Sequence, residues 1–559
     1  MKRKPIALLL SLCLILGAIV LPSYAVGASV GALAPSDCDE LGNGAYTAIY
    51  EGVLSGEERI DLSDYHLNES DARVIFETLY YSEAELFFIS SAYSYAVSSE
   101  TGMMGSITPK YLCEKSEIPG LLEDFYERTD AILDSSPVGA SDFAKVAYVH
   151  DYIAQNFTYD YTYTNYDVYS MLVEGTGVCQ PYSLLARYLL RRLGVETECV
   201  TSDSINHEWN TVRLDGEWYH MDITWDDADD AGFYGQVGHE YFLCSDEEFM
   251  QGDHASAWVS PVVCDDRSYD GDFREVTSSF VYLDGETYVI CGADLCESGT
   301  ECDENPSCHY GNICLYDEQS GVLTSVHTID VIWHTYMRST AWLGIFSGLA
   351  CLNGMLLYNS ETSICYYEPE SDESGVLASL GTSGGYVYGM KLDGTDIVYA
   401  LKTEPNDDGF RECRKKVAYT VTWMIGGVAY KENYFYGDTP ACGRSTALPE
   451  DTHRFDFIGW DKEIRPVTAD VTYTAVYSAT QIYAESATRL LQLVSDAEVA
   501  GASRAARYEA LSEAQAIRDQ VNPTYEGVAA AKTRLDRMIL TYDTEISGLF
   551  VFEGWVPKP

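Results

Sequence analysis

The chain has 559 residues and a net charge of -52, with 87 acidic against 35 basic side chains. This length is too great for one hydrophobic core, and at about 150 residues per domain it predicts roughly three to five domains. So acidic a surface repels nucleic acid and anionic membranes, which excludes both as partners. We interpret the acidity as a well-solvated secreted surface rather than a patch for a basic substrate.

Residues 1–25 have the pattern of a secretory signal peptide. The basic residues from Lys2 to Lys4 precede an apolar run that ends at Val20, and Ser-Tyr-Ala places a cleavage site after Ala25. The alternative is a transmembrane helix, but the run is shorter than the roughly 20 apolar residues that such a helix needs. We therefore expect a secreted protein without membrane insertion after cleavage.

Residues 26–135 are predicted to form an α+β leader domain. Short strand-like runs alternate here with a helix, for which Asn68 and Ser70 are suitable capping residues.

A stronger helix is predicted after Ser141, which is placed to cap it. Apolar residues recur at helical spacing and are expected to face the core, namely Phe143, Val146, Val149, Ile153 and Phe157. His150 and Asp151 fall off this stripe, and we interpret them as surface or packing residues rather than as ligands.

The segment from Gly175 to Gly194 is predicted to contain a loop, a helix and a turn. Pro181 suits the first helical turn, Gly194 supplies the stop, and one face carries Leu185, Leu189 and Leu193. Cys179 therefore lies at a helix N-terminus or one residue before it. Because unpaired backbone N–H groups and the helix dipole favour the thiolate there, Cys179 is a candidate nucleophile as well as a candidate small buried residue.

The stretch HEWNTVRLDGEWYHMDITWDD is predicted to form a β-hairpin. Its two-residue turn is Asp215-Gly216, a strong hairpin signal. Counting outward from a tight turn sets His207 opposite Thr224 and makes Asp222 its diagonal neighbour, within roughly 7 Å. The carboxylate is then able to orient the imidazole.

Cys179, His207 and Asp222 fit the roles of nucleophile, base and orienting group. A carboxylate bonded to one ring nitrogen fixes the tautomer and leaves the other nitrogen facing the thiol. A lone His and Asp in a hairpin are more often a satisfied polar pair, but a cysteine at a helix start in this chain order favours catalysis. Such a triad requires no metal and no other cofactor.

Three blocks resemble the signature segments of the bacterial transglutaminase-like superfamily, whose fold is related to papain-type cysteine peptidases. They are AKVAYVHDYIAQNFTYD, GTGVCQPYSLLARYLLRRLGVE and NHEWNTVRLDGEWYHMDITWDD. The resemblance covers residues 136–262 and implies a catalytic domain in which Cys179 is the nucleophile. It implies further that His207 is the general base and then acid, and that Asp222 orients it. Pro181 departs from the pattern, which often has a small residue there.

The resemblance implies acyl transfer through a thioester, after attack on a glutamine carboxamide or a peptide carbonyl of a protein or peptide substrate. The backbone N–H of Cys179 would hold part of the oxyanion. Protein crosslinking, deamidation and peptide hydrolysis share this first step, so the triad leaves the reaction open. One alternative is a catalytically silent cell-surface binding protein or adhesin. Another is a disulfide-stapled structural protein, which requires Cys179 to be oxidised.

Several further residues are weaker candidates for the site. A tyrosine run offers oxyanion donors, although we interpret it as packing: Tyr159, Tyr161, Tyr163 and Tyr166. The tryptophans of the hairpin are expected to shield the site or to pack against it: Trp209, Trp218 and Trp225. His254 has nothing local that supports a role.

The chain has 16 cysteines, and Cys13 lies in the predicted signal peptide, so an odd number remains outside the cell and at least one is unpaired. Several cluster between Cys264 and Cys351. Their spacers are longer than those of zinc knuckles, so we expect disulfides or free thiols here rather than a zinc site.

Residues 263–414 repeat strand–turn–strand patterns and are predicted to be β-rich. The hairpins resemble β-propeller blades, but too few are visible for a closed propeller. Residues 415–479 resemble the internalin-type B-repeat, a β-grasp-like module, with Trp423 and Trp460 expected in its core.

Residues 480–546 are predicted to form a C-terminal helical hairpin or bundle, with Asn522 as N-cap and Pro523 at the first helical position. This segment resembles the FIVAR modules of Gram-positive cell-surface proteins, and residues 547–559 form a tail. The whole is thus a multidomain α+β protein, and its C-terminal modules imply cell-wall or surface partners.

Overall fold

The chain is a mixed α/β protein with many β-sheets. It divides into two units, residues 1–393 with 397–415, and residues 394–396 with 416–559. The computed structural model describes residues 44–137, 139–227, 236–251, 254, 257–274, 276–291, 311–329, 331–334, 341–343, 346–381, 385–403, 409–447 and 456–478, and the backbone of 14–20. No helix in these ranges is long and apolar enough to cross a membrane.

The first unit begins with helices packed on a four-stranded sheet. The elements are β1 (Leu14–Val20), α1 (Ala45–Leu54), β2 (Ile60–Asp61), α2 (Glu69–Tyr80), β3 (Ile89–Ser98) and β4 (Met104–Tyr111). Their strand order is β1-β3-β4-β2. Asn68 caps α2 by accepting a hydrogen bond from Asp71 N. Because β1 lies in the predicted signal peptide and pairs with β3, cleavage after Ala25 would leave β3 at the edge of the sheet.

The next elements carry the candidate site. They are α3 (Ile118–Asp134), α4 (Asp142–Asn156), β5 (Thr158–Tyr159), α5 (Val168–Glu174), β6 (Thr176–Gly177), α6 (Cys179–Arg192), β7 (Thr197–Ser202), β8 (His207–Leu214), β9 (Glu217–Met221), α7 (Ile223–Asp226), β10 (Phe242–Cys244) and α8 (Asp246–Phe249). The strands β7 to β10 form an antiparallel sheet in the order β10-β9-β8-β7. Helix α6 packs against both β8 and α4, so the sheet and the helices share one core.

The two strongest helix predictions agree with the structure. Ser141 caps α4 by accepting a hydrogen bond from Ala144 N, and Gly194 follows α6 with φ +86°. The predicted apolar faces meet in one core that contains Phe143, Val146, Val149, Ile153, Leu185 and Leu189. His150 and Asp151 are also buried, at 0 % and 3 % exposure, so of the two interpretations offered for them the surface position was wrong and packing agrees with the structure.

The hairpin of β8 and β9 has the predicted turn but is shorter than predicted. Leu214 pairs with Glu217 across Asp215 and Gly216, both of which have the positive φ of a two-residue turn. The pairing ends where Asn210 faces Met221. Thr224 therefore does not lie opposite His207, because the chain turns into α7 directly after Asp222.

Further strands follow between residues 281 and 416. The strands are β11 (Val281–Leu283), β12 (Glu286–Cys291), β13 (Gly311–Asp317), β14 (Val322–Ile329), β15 (Ile332–His334), β16 (Ala341–Leu343), β17 (Leu349–Leu352), β18 (Met355–Asn359), β19 (Ser363–Glu368), β20 (Glu373–Ser379), β21 (Tyr386–Asp393), β22 (Asp396–Lys402) and β23 (Arg411–Lys416). Strands β11 to β14 and β17 to β20 each form a four-stranded sheet in chain order.

The cysteines that the structure describes form no disulfide bonds with one another. Among them are Cys264, Cys291, Cys314 and Cys351 of the clustered region. The other cysteines of that cluster, Cys296, Cys302 and Cys308, lie outside the described residues.

The second unit holds a four-stranded sheet in the order β25-β24-β27-β26. Its strands are β24 (Ala418–Ile425), β25 (Val428–Phe435), β26 (Asp456–Trp460) and β27 (Val471–Ser478), and β24 runs parallel to β27. Trp423 is fully buried, and the Trp460 ring packs 4.6 Å from it. The predicted helical module at 480–546 and the tail lie outside the described residues.

Candidate active site

Cys179 is the first residue of α6 and follows an extended Val178. Its side chain is largely buried, at 7 % exposure. The preceding Gly177 has no room for a side chain, since an added Cβ would lie 2.6 Å from Met171 Sδ and 2.9 Å from Pro181 Cγ. Pro181, the residue that departs from the family pattern, is thus packed against Gly177. The sulfur lies where a helix N-terminus stabilises negative charge.

His207 is the first residue of β8 and lies between the Cys179 thiol and the Asp222 carboxylate. Its Nε2 lies 2.6 Å from Asp222 Oδ2, and its ring interacts with the Cys179 side chain. The ring also stacks on Trp225, with centroids 5.0 Å apart. Burial alone would lower the pKa of His207, but the charge and hydrogen bond of Asp222, together with Cys179, raise it to about 10.

Asp222 uses both of its carboxylate oxygens. Oδ1 caps α7 by accepting hydrogen bonds from Thr224 N at 3.0 Å and Trp225 N at 3.3 Å. Oδ2 accepts from two imidazoles, those of His207 and His254. Although burial disfavours the charged carboxylate, the two histidines hold the pKa of Asp222 below its usual range. The helix cap therefore fixes the orientation of the group that orients His207.

His254, which the sequence offered only as a weak candidate, is part of this arrangement. Its Nε2 lies 2.8 Å from Asp222 Oδ2, and its side chain is fully buried. The ring packs between aromatic side chains, with centroids 3.8 Å from Trp225 and 3.9 Å from Phe249. No local pattern marks this histidine, because its partner lies 32 positions away in the chain.

A second buried histidine cluster adjoins the first through α7. His150 Nε2 lies 3.1 Å from Asp226 Oδ2, and His150 Nδ1 lies 2.8 Å from Asp151 Oδ1. His239 Nε2 contacts the same Asp151 oxygen at 3.0 Å. Burial opposes charge on His150, but its two carboxylate partners raise its pKa to about 9. Asp222 at the start of α7 and Asp226 at its end thus contact histidines of different clusters.

Glu208, next to His207 in β8, points towards α6. Its Oε1 accepts a hydrogen bond from Ser183 Oγ at 2.8 Å. Burial raises the pKa of Glu208 to about 8, so this side chain is mostly protonated at neutral pH. It therefore adds little negative charge beside the thiol.

Three groups of side chains in the described ranges have the composition of a metal site. They are His150 with Asp151 and His239, His207 with Asp222 and His254, and His220 with Asp246 and Cys264. The N···O separations within them are those of hydrogen bonds. His220 also accepts a hydrogen bond from Trp209 Nε1, which leaves its other nitrogen as the donor to Asp246. Hydrogen bonding accounts for these contacts without an ion.

The tyrosine run is only partly packed, contrary to the prediction. Tyr159 is half-buried, whereas Tyr161 and Tyr163 are 62 % and 55 % exposed. Of the hairpin tryptophans, Trp209 is buried and Trp225 covers His207, as expected of residues that shield the site.

Comparison with known proteins gives one family match. Residues 136–223 match the model of the transglutaminase-like superfamily. A solved structure described as "Crystal structure of a TGase" is 16 % identical, with 22 % of this chain and 42 % of that chain covered at a TM-score of 0.17, which is too low to support any argument about the fold. No curated protein matches the chain. The family match identifies residues 136–223 as a transglutaminase-like domain within a longer mixed α/β chain.

Proposed function

We propose that the protein is a cysteine-dependent acyl-transfer enzyme that acts on a protein or peptide substrate. Cys179 is the nucleophile, His207 the general base and then acid, and Asp222 the group that orients His207. The observation that carries this proposal is the continuous contact from the Cys179 side chain through His207 to Asp222 Oδ2. A buried thiol at a helix start, an imidazole and a carboxylate in this sequence have the geometry of an activated nucleophile.

The reaction begins with the thiol proton held on His207, whose pKa is raised to about 10, and the Cys179 thiolate attacks a carboxamide or peptide carbonyl carbon. The carbonyl oxygen becomes an oxyanion, to which the backbone N–H of Cys179 donates at the start of α6. His207 then returns its proton to the leaving nitrogen, the C–N bond breaks, and a thioester remains. Asp222 keeps the imidazole in one orientation throughout these steps.

The second half of the reaction decides the product. His207 removes a proton from an incoming amine or water, which attacks the thioester and releases the Cys179 thiol. An amine acceptor gives a crosslinked protein, whereas water gives a deamidated or hydrolysed one. The same three residues serve each outcome, so the acceptor distinguishes these reactions.

Secretion and cell-surface association belong to the same proposal. Their support is the signal-peptide pattern of residues 1–25, the net charge of -52 and the resemblance of the C-terminal modules to those of surface proteins. Partners in the cell wall or on the cell surface are proposed on this basis, and nucleic acid is not. Sequencing the N-terminus of the exported protein tests the cleavage site after Ala25.

The thiol itself provides the most direct test. We expect brief treatment of the folded protein with iodoacetamide at about pH 6 to label Cys179 faster than Cys244 and Cys264, because burial raises the pKa of both other thiols. Mass spectrometry reads out all three in one sample. His207→Ala should slow the labelling of Cys179 alone. Equal labelling rates would instead favour a catalytically silent binding protein.

A positive result justifies a substrate screen. Incorporation of a fluorescent amine into glutamine-containing peptides reports crosslinking, and release of ammonia without incorporation reports deamidation. Cys179→Ser is the matched control, since it keeps the size of the side chain and removes the thiolate. Activity that survives in Cys179→Ser would contradict the proposed nucleophile.

A further inference from the structure

The loop that precedes α5 is attached directly to the segment that leads into Cys179. Asp160 N donates to Gly177 O at 2.8 Å, and Val178 N donates to Asn165 O at 3.2 Å. Strand β5 also pairs with β6, which sets Tyr159 beside Gly177. Residues 159–165, here called the tyrosine loop, are therefore held beside the candidate nucleophile at both ends.

The tyrosine loop is rigid because its own polar groups are satisfied internally. Asp160 Oδ1 accepts hydrogen bonds from Thr162 N and Thr162 Oγ1, at 2.8 and 2.5 Å. Asp160 Oδ2 accepts from Thr164 N, Thr164 Oγ1 and Asn165 N, at 2.7, 3.0 and 2.9 Å. The buried carboxylate thus fixes the backbone from Thr162 to Asn165.

Aromatic rings project from this rigid loop into solvent. Tyr161 and Tyr163 are 62 % and 55 % exposed, and their ring centroids lie 5.0 and 6.4 Å from that of Tyr159. Tyr163 holds φ +54°, a left-handed backbone that is costly for a bulky side chain. Strain and exposure of this kind are typical of functional surfaces rather than of packing.

We propose that the tyrosine loop binds the acyl-donor polypeptide, through an apolar side chain next to the residue whose carbonyl Cys179 attacks. The inference rests on the proposed function and names the substrate class of that site. Tyr159 pairs with Gly177, two residues before Cys179, and Tyr161 and Tyr163 extend from it to the exposed surface. A side chain adjacent to the attacked residue therefore meets the rings while the carbonyl meets the sulfur.

The geometry favours a polypeptide over a glycan. The ring planes of Tyr161 and Tyr163 stand at 65° and 84° to that of Tyr159, so the three rings do not form one flat platform for sugar stacking. The loop hydroxyls of Thr162 and Thr164 donate to Asp160 and are not available as donors to sugar hydroxyls. An apolar side chain gains from contact with such rings and needs no hydrogen bond.

Two loop variants remove the rings with little effect on the fold. Tyr163→Asn is suited to the left-handed backbone that Tyr163 holds, and Tyr161→Ser shortens an exposed side chain. The matched control is Tyr436→Ser, at a tyrosine that is 70 % exposed in the second unit. Unchanged iodoacetamide labelling of Cys179 in each variant would show that the nucleophile is intact.

The probes are acetyl-Leu-Gln-Gly-amide and acetyl-Ser-Gln-Gly-amide, with amine incorporation as the readout. We expect the wild type to prefer the leucine peptide, and each loop variant to lose on the order of tenfold in kcat/KM for that peptide alone. Tyr436→Ser should retain the preference. Equal loss for both peptides, or no loss, would overturn the inference while leaving the proposed function in place.

Binding separates this inference from the proposed reaction. In a Cys179→Ser background, the leucine peptide should bind more tightly than the serine peptide, and the loop variants should abolish the difference. Selective binding without any turnover by the wild type would contradict the proposed function alone. Chitotetraose, a soluble chitin oligosaccharide, serves as the glycan probe. The assignment of the loop to a polypeptide would be overturned if neither peptide bound, or if the loop variants lost binding to chitotetraose alone.

Discussion

His254 Nε2 lies 2.8 Å from Asp222 Oδ2, the same oxygen that accepts the hydrogen bond of His207 at 2.6 Å. One carboxylate oxygen therefore serves two imidazoles. Because each hydrogen bond withdraws charge from that oxygen, His254 moderates how strongly Asp222 holds the proton on His207. This makes His254 a positioning residue for the proposed base rather than a group that touches the substrate.

Replacing His254 by Phe should shift the pH profile of Cys179 alkylation. Phenylalanine keeps most of the ring packing but leaves His207 as the imidazole partner of Asp222 Oδ2. The pKa of His207 should therefore rise, and the alkaline limb of the alkylation profile should move to higher pH. His254→Gln, which keeps a donor, should restore part of the wild-type profile. The titratable groups that face His254 include Asp222, His207, His220 and Tyr241. An unaltered pH profile in His254→Phe would show that His254 only packs against its neighbours.

Asp222→Asn and Asp222→Ala should separate the two tasks of this side chain. Asparagine still caps α7 but removes the negative charge beside His207, so Asp222→Asn should lose the stability of that buried charge pair and reduce kcat/KM on the order of 10³-fold. Asp222→Ala should lose activity to a similar extent and about 1–2 kcal/mol more stability than Asp222→Asn, since the cap is removed as well. Thermal unfolding and amine incorporation measure the two effects. Equal stability of the two variants would contradict the capping role.

Unfolding at several pH values should reveal the buried histidines. The pKa of His150 is raised to about 9 and that of His207 to about 10, above the unfolded value of about 6.5. Their contribution to stability is therefore complete below about pH 6.5 and is lost as the pH rises through these folded values, on the order of 3–5 kcal/mol each. Urea titrations at pH 6, 8 and 10 measure this loss.

A variant at His150 assigns part of that slope. His150→Gln removes the titrating group, so the change in unfolding free energy between pH 6 and 10 should be smaller than in the wild type. The matched control is His66→Asn, at an exposed histidine with a left-handed backbone that asparagine tolerates. An unchanged slope in His150→Gln would show that His150 is neutral in the folded protein.

Gly177→Ala should disturb the nucleophile through its backbone. The new Cβ would lie 2.6 Å from Met171 Sδ, which is free to move, and 2.9 Å from the Pro181 ring, which is fixed in the first turn of α6. We expect a stability loss of about 1–3 kcal/mol and slower labelling of Cys179. Gly120→Ala, in an exposed helical position with no neighbour within 4 Å, is the control and should not slow labelling.

Local rules predicted the parts of the site that depend on neighbours in the chain. Ser141 and Gly194 mark the ends of helices, and Asp215-Gly216 sets the hairpin register, because each acts over a few residues. The turn at Asp222 was missed because a strand pattern continues through it, while its side chain caps a helix. The position of His254 was beyond such rules, since only the closed fold brings it to Asp222.

The buried histidines of the second cluster illustrate the same limit. His150 falls off the apolar stripe of α4, which on a solitary helix indicates exposure. In the fold it meets Asp226, 76 positions later, and hydrogen bonds offset the cost of burying it. A stripe therefore identifies the apolar face of a helix but not the polar groups that other segments will cover.

Helix α7 is a single turn held at both ends, by His254 at Asp222 and by His150 at Asp226. The partners of this turn come from positions as far apart as 150 and 254, so the orienting carboxylate takes its place only after that whole stretch has closed. Until that stretch has closed, Cys179 lacks the His207–Asp222 pair on which the proposed reaction depends. The proposed reactivity would thus belong to the finished fold and not to a partly folded chain.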